Sequence, residues 1–342
     1  MGLNYLITGG AGFIGSNYVD RLLARGESVR VLDNLSRNNT DKNLTWLREK
    51  HGEESFDFIQ ADVRDLSALV DGVDDIDVIV HYAGQVAVTT SVVNPLEDFE
   101  INALGTMNVL EAARLSGNKP MVLYSSTNKV YGGMEDVVVV EGESAYQYRD
   151  FPKGISETHP LDFHSPYGCS KGAADQYVRD YARIYDLPTV VMRQSCIYGP
   201  RQFGVEDQGW VAWFIIAALT GKPITIYGDG KQVRDILYVD DLLDAYDAAI
   251  ANKEKAAGQV FNIGGGAANT MSIWVDFQKY LEELLGRDLK VGRSDWRPGD
   301  QRIYVSDISK AKDVLGWTPK TNVPDGIEKL FKWAVENKHL FE

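Results

Sequence analysis

Tyr167 and Lys171 stand four positions apart in Ser165-Pro166-Tyr167-Gly168-Cys169-Ser170-Lys171, a spacing that on a helix projects both side chains from one face. A lysine beside a phenol favours the phenolate, and a cationic ring nearby pushes the same way. Such a phenol is a base able to take a hydroxyl proton near neutral pH. Thr127 closes the stretch Pro120-Met121-Val122-Leu123-Tyr124-Ser125-Ser126-Thr127, where its hydroxyl can donate to an oxygen that gains charge and so orient what reacts. Taken alone, Tyr-x-x-x-Lys is more often the ordinary face of an amphipathic helix. The elements around it decide.

Those elements begin at the N-terminus. Tyr5-Leu6-Ile7-Thr8 reads as a buried strand, glycines follow at 9, 10, 12 and 15, and a helical pattern runs from Asn17 to Arg25. Gly10-x-Gly12-x-x-Gly15 satisfies the dinucleotide fingerprint, with glycines for the tight turn, for close approach to a pyrophosphate and for helix-on-strand packing. The free amides and positive end of the helix then face the phosphates. A second strand, Ser28 to Leu32, delivers Asp33 where an acid meets the adenosine ribose. A carboxylate there accepts from free hydroxyls and repels a 2′-phosphate, so NAD is expected rather than NADP. Arg37, in the polar Asn34-Leu35-Ser36-Arg37, points the other way, but Asp33 lies nearer the strand end. A ligand-free glycine turn is the plain alternative.

Further strands follow at Phe56 to Gln60, ahead of Asp62-Val63, and from Asp77 into Ala83-Gly84-Gln85, small enough to pass close to a flat ring. Asn102 to Ser116 reads as a long helix, and the Pro120 run is the next strand. Alternation of strands and helices implies parallel βαβ units with ligands at the carboxyl strand ends. The candidate cofactor contacts are therefore Gly9, Gly12, Phe13, Ile14, Asp33, Asn34, Ser36, Arg37, Asp62, Val63, Ala83, Gly84, Gln85, Asn102 and Ser125, with Tyr167 and Lys171.

Composition narrows the function classes. A chain of 342 residues, 44% hydrophobic and 25% charged, has the balance of a globular protein with ample core. Its net charge of −14 argues against a nucleic-acid or anionic-membrane surface, so an anionic ligand must be gripped by a few local arginines. No signal-peptide pattern, membrane-length apolar run or metal-spaced Cys/His cluster is seen. Two cysteines, Cys169 and Cys196, make no disulfide framework, and a reducing cytoplasm is expected.

From Tyr131 to Pro166 the pattern dissolves, which marks either a lid or an unrecognised element. A helix then runs from Ser165 to about Tyr185 and a strand from Leu187 to Arg193. Trp210 to Leu219 and Asp240 to Asn252 are helical, Ile224 to Ile226 is extended, and Gln259 to Ile263 is a strand. Amphipathic helices are expected over Ser272 to Leu285, Asp307 to Leu315 and Val323 to Asn337. The expected fold is α/β, a Rossmann-type doubly wound parallel sheet with a smaller C-terminal lobe. Residues 1–193 and 236–263 form the nucleotide-binding domain, and residues 194–235 and 264–342 the substrate lobe.

The set Thr8 to Gly15, Asp33, Ser126-Thr127, Tyr167-x-x-x-Lys171 and Tyr198-Gly199-Pro200 resembles the extended short-chain dehydrogenase/reductase superfamily of nucleotide-sugar enzymes, over essentially the whole chain. Asp33 to Arg37, Tyr124 to Gly132, Leu161 to Tyr177 and Asp207 to Trp210 look closer still to the CDP-tyvelose (CDP-paratose) 2-epimerase group. The resemblance implies tightly held NAD, a Thr127/Tyr167/Lys171 triad and a homodimer or homotetramer packed through the Asn102 and Tyr167 helices. Sugar 4,6-dehydratases of this superfamily carry an Asp-Glu pair after the catalytic Thr. Asn128 and Lys129 stand there instead, and neither supplies that carboxylate chemistry; a mere surface turn is the bland alternative.

Diphosphate recognition is expected from Arg234 and Arg297, since a guanidinium forks onto two phosphate oxygens. Arg201 and Arg302 are second choices, and Asp300 can accept from a ribose hydroxyl. Thr127, Asn128, Gln194 and Gln208 complete the substrate candidates. The stretch Arg193 to Tyr198 lacks the Asn that related epimerases place around Cys196, which argues against a standard UDP-galactose 4-epimerase. The implied activity is NAD-dependent inversion at C2 of a CDP-linked hexose through a transient 2-keto sugar. The alternatives are 4-epimerisation of a UDP-sugar, or a non-catalytic NAD-binding scaffold.

Overall fold

The computed structural model describes residues 2–297 and 300–341. They cluster into two compact units: Met1–Val130 with Phe163–Arg193 and Ala245–Phe261, and Tyr131–Asp162 with Gln194–Asp244 and Asn262–Glu342. Residues 131–162, 236–244 and 262–263, expected with the nucleotide-binding domain, cluster instead with the second unit.

A seven-stranded sheet organises the first unit. Its strands are β1 (Asn4–Thr8), β2 (Ser28–Leu32), β3 (Asp57–Ile59), β4 (Val78–His81), β5 (Met121–Thr127), β6 (Thr189–Gln194) and β7 (Gln259–Ile263), in the spatial order β7-β6-β5-β4-β1-β2-β3. The pairs β1–β2, β1–β4, β2–β3 and β4–β5 are parallel. Leu6, Ile7, Val31, Ile79, Val80, Val122, Leu123, Val190 and Val191 are all buried, as strands covered on both faces require. The order reverses at β1, whose neighbours are β2 and β4, and the crevice at the carboxyl ends of such strands is where doubly wound sheets bind ligands.

Helix α1 (Phe13–Ala24) starts directly at the glycine turn, with Gly12 as an N-cap that offers no side chain. The apolar periodicity suggests a start at Asn17; the preceding turn, Phe13-Ile14-Gly15-Ser16, lies inside the glycine run and reads as part of it. Helices α2 (Thr40–His51), α3 (Leu66–Gly72), α4 (Val88–Val93) and α5 (Pro95–Phe99) were not expected. Asp65 caps α3 by accepting from the amides of Ser67 and Ala68. Asn102 lies in a π-helical turn, Glu100–Leu104, that leads into α6 (Gly105–Leu115). Helix α7 (Ser165–Tyr185) has Pro166 in its first turn, where a missing amide costs nothing.

The second unit is built on Val233–Tyr238, which pairs antiparallel with Thr270–Ser272 and parallel with Ile303–Tyr304 and Cys196–Tyr198. The unassigned stretch 131–166 contains an antiparallel hairpin, Val139–Glu141 against Tyr146–Tyr148. Tyr146 packs with Val233, Ile303 and Val305 in a buried cluster, so the segment is part of this unit's core. The signal missed was Val137-Val138-Val139-Val140 followed by Gly142, a β-branched run broken by a turn residue. Among the described residues no helix is long and apolar enough to cross a membrane.

Candidate active site

The glycine turn forms a tight cradle at the end of β1. Gly9 has φ of +70°, and a Cβ there would lie 2.6 Å from the Ala83 amide nitrogen. A Cβ on Gly15 would lie 2.2 Å from the Gly9 carbonyl oxygen, so the helix approaches the turn only because that atom is missing. Phe13 and Ile14 open α1 at this point. Asp33, at the end of β2, accepts from the Ala11 amide at 3.0 Å and the Leu35 amide at 2.8 Å. Burial pushes its carboxyl above the usual range, and these two donors pull it back. The glycine approach and the acid at the β2 end fit an adenosine diphosphate.

Asn34 donates to Asp62 at 2.7 Å. Asp62 is held down at about 2, first by the Arg64 guanidinium. Val63 is buried, while Ser36 and Arg37 are exposed. Asn43, which carried no sequence signal, donates to the Ala11 carbonyl at 3.2 Å and braces the turn from α2.

At β4 the chain passes through Ala83, Gly84 and Gln85, all half-buried. Asn102 clamps this loop, accepting from the Gln85 amide at 3.0 Å and donating to its carbonyl at 2.9 Å. His81, just before it, bridges the Thr8 hydroxyl at 2.7 Å and the Thr106 hydroxyl at 3.0 Å.

Thr127 and Tyr167 meet in the first unit, with Lys171 one helical turn beyond Tyr167 on α7, and all three are buried. The Thr127 hydroxyl hydrogen-bonds the Tyr167 side chain and accepts from the Lys129 amide at 3.2 Å. Lys171 Nζ donates to the Ser125 carbonyl at 2.6 Å and lies 4.4 Å from the Tyr124 ring centre. Asn128 begins a 3-10 turn, Asn128–Tyr131, and is buried, so it is no surface turn.

The protonation balance differs from the expected one. Burial pushes the Tyr167 phenol up to about 12, with Thr127 pulling it down and Asp98 pushing it up. Burial holds Lys171 down at about 7, against the attraction of Asp98 and Asp175. Lys171 is not among the groups that act on the phenol; burial, which penalises the charged form of each, is the largest influence on both.

Two carboxylates escaped the sequence reading. Asp98 accepts from Gln85 at 3.0 Å and from Asn102 at 3.1 Å. Asp175, one helical turn after Lys171, accepts from Ser126 at 2.8 Å and forms a buried pair with Arg193, whose Nε lies 2.8 Å away.

In the second unit Arg234 is buried and commits two donors to backbone carbonyls, Val233 and Gln301, each at 2.8 Å. Arg297 pairs with Asp207 at 3.2 Å and lies 3.8 Å over the Tyr227 ring. Neither stands as a bare anion clamp. Arg201 adopts φ of +65° and lies 5.8 Å over the Trp333 ring. Arg302 lies 5.6 Å over Tyr146. Gln194 is buried at the end of β6. Gln208 exchanges backbone hydrogen bonds with Val205, and the Asp300 amide donates to the Arg297 carbonyl at 3.1 Å. Pro298 and Gly299 of that stretch lie outside the described residues.

A doubly wound sheet with a glycine cradle, and a Thr, Tyr and Lys gathered in the same unit, define the class of short-chain dehydrogenase/reductase-type enzymes that epimerise or dehydrate nucleotide sugars. The chain matches the family described as GDP-mannose 4,6 dehydratase over residues 6–330 and belongs to it. It is 46% identical to a CDP-paratose 2-epimerase from Salmonella typhi, covering 97% of this chain and 99% of that one. A UDP-glucose 4-epimerase from Thermotoga maritima, solved with UDP-glucose, superposes with a TM-score of 0.83 at 33% identity, covering 98% of this chain and 99% of that one. A dTDP-glucose 4,6-dehydratase double mutant from Streptomyces venezuelae, solved with NAD bound, superposes with a TM-score of 0.85 at 30% identity and 98% coverage of both chains.

Proposed function

We propose that this enzyme inverts C2 of a CDP-linked hexose, of the CDP-paratose/CDP-tyvelose or CDP-glucose/CDP-mannose type, through a transient 2-keto sugar. The observation that carries this reading is the 46% identity, over nearly the whole of both chains, to a CDP-paratose 2-epimerase. Asn128 and Lys129 after Thr127 support it, because an amide and an ammonium cannot serve as the acid and base that expel water.

NAD is the cofactor: Gly9, Gly12, Phe13 and Ile14 receive its diphosphate, Asp33 its adenosine ribose, Asn34 to Arg37 and Asp62-Val63 the adenine side, and Ala83 to Gln85, Asn102 and Ser125 the nicotinamide side. When bound, it supplies the hydride acceptor and donor. Tyr167 takes the C2 hydroxyl proton as the C2 hydrogen leaves as hydride, and returns the proton when the ketone is reduced on its other face. Thr127 donates its one hydroxyl proton to the sugar oxygen. Lys171, one helical turn along α7 from Tyr167, completes the catalytic group and positions the ribose. Arg234 and Arg297 bind the diphosphate, with Asn128, Gln194, Arg201, Gln208 and Asp300 around the nucleotide sugar. Arg297 must exchange Asp207 for phosphate as the ligand enters.

The protein works as a homodimer or homotetramer through the Asn102 and Tyr167 helices, in the cytoplasm. Val93, Leu96 and Phe99 beside α7, and Ile184 on it, are exposed apolar side chains, which supports an interface there. A second reading, C4 inversion of a UDP-sugar, draws on the neighbour solved with UDP-glucose. Incubation with CDP-, UDP-, GDP- and dTDP-hexoses followed by NMR separates the two. Inversion at C2 of a CDP-sugar is expected, and inversion at C4 of a UDP-sugar alone replaces the reading.

A further inference from the structure

Asp98 sits on α5 with only 1% of its surface exposed, and none of the roles described above accounts for a carboxylate there. Its Oδ1 receives the Gln85 side-chain amide at 3.0 Å and the Asn102 side-chain amide at 3.1 Å, and the Ser170 hydroxyl also hydrogen-bonds it. Asn102 in turn holds the Gln85 backbone at both its amide and its carbonyl. Gln85 also donates to the Ala87 carbonyl at 2.8 Å. One carboxylate therefore joins the loop after β4, the π-helical turn and α7. A Cβ on Gly84, within that loop, would lie 2.9 Å from Asn102 Oδ1 and 3.9 Å from Lys171 Nζ, so the lysine nitrogen lies near the loop, on the side where Gly84 lacks a side chain.

We propose that Asp98 is a positioning residue, which locks the Ala83–Gln85 loop through Asn102 and Gln85 and supplies the negative charge that faces the buried Lys171 ammonium. The inference rests on the assignment of Lys171 to the catalytic group, but not on which sugar is epimerised. The groups facing Lys171 are Asp98 from α5, Asp175 from its own helix, His81 from β4, and Tyr124 and the Ser125 carbonyl from β5. Asp175 is already paired with Arg193 and Ser126, so its charge is largely spent. His81 is held neutral by burial. Asp98 has no cationic partner other than Lys171 among the groups acting on it, which makes it the chief counter-charge. Such a charge is worth on the order of one pKa unit or more in a buried site.

The test reads Lys171 directly. Full-length protein saturated with NAD and labelled with 13Cε-lysine is titrated by NMR, and Lys171→Arg assigns the resonance. Asp98→Asn keeps the shape and an acceptor but removes the charge; the Lys171 midpoint should fall by about one unit or more. Asp98→Glu, which restores the charge, should return it to within about half a unit of the parent. An unmoved midpoint in folded Asp98→Asn, or an equal fall in Asp98→Glu, overturns the proposal. The readout needs no sugar nucleotide, so a wrong substrate assignment leaves it intact.

Discussion

Tyr167 and Lys171 are both penalised in their charged forms by the same withdrawal from water. That leaves a phenol to be activated only when positive charge arrives beside it. Tyr167→Phe keeps the ring and loses the proton acceptor, so turnover should fall by on the order of a hundredfold or more while NAD stays bound. Activity within a fewfold of the parent enzyme would place the base elsewhere.

His81 yields a pH prediction. Burial, then the Lys171 charge, push its imidazole down to about 3, below the ordinary value of about 6.5. Between those two values the unfolded chain binds a proton that the folded chain refuses, so stability falls as pH drops. Urea midpoints at pH 7 and 4.5 should show the parent losing on the order of 2 kcal/mol more than His81→Gln over that interval. Equal losses would mean that His81 is charged in the fold.

At the scale of elements, α7 does double service. One face carries Tyr167, Lys171 and Asp175, and Asp175 fixes its register on the sheet through Ser126 of β5 and Arg193 of β6. Away from that face it leaves Tyr177, Ile184 and Tyr185 exposed, while Val92, Val93, Leu96, Phe99 and Leu104 are exposed on the helices and turn packed beside it. This is the apolar surface that the proposed interface would bury, with a second copy seated by closed symmetry. Leu96→Glu combined with Ile184→Glu should convert an oligomer to a monomer in sedimentation velocity. A parent chain that already sediments as a monomer would remove the interface.

The whole molecule carries a net charge of −14, so the proposed anionic substrate would enter against the global field and would depend on local guanidinium groups. A sugar carbon with no neighbouring carbonyl has no acidic hydrogen, and removing that hydrogen as hydride avoids the need for one. Substrate deuterated at C2 should therefore give inverted product that keeps its label in ordinary water, read by mass spectrometry after single turnover. Loss of label to solvent would mean proton abstraction.

The strand, glycine turn, Asp33 and the Tyr167-to-Lys171 spacing were legible in the sequence because each is local, set by a turn geometry or by a helical period within a few residues. The hairpin at 139–148 escaped because its strands, three residues each, pair with one another but bury themselves against residues far along the chain, Val233 and Ile303. Asp98 is a carboxylate with no motif of its own, and only the packing of α5 on α7 turns it toward Lys171. The directions of the Tyr167 and Lys171 shifts were beyond the sequence for the same reason: spacing names the neighbour, but desolvation depends on everything folded around the pair.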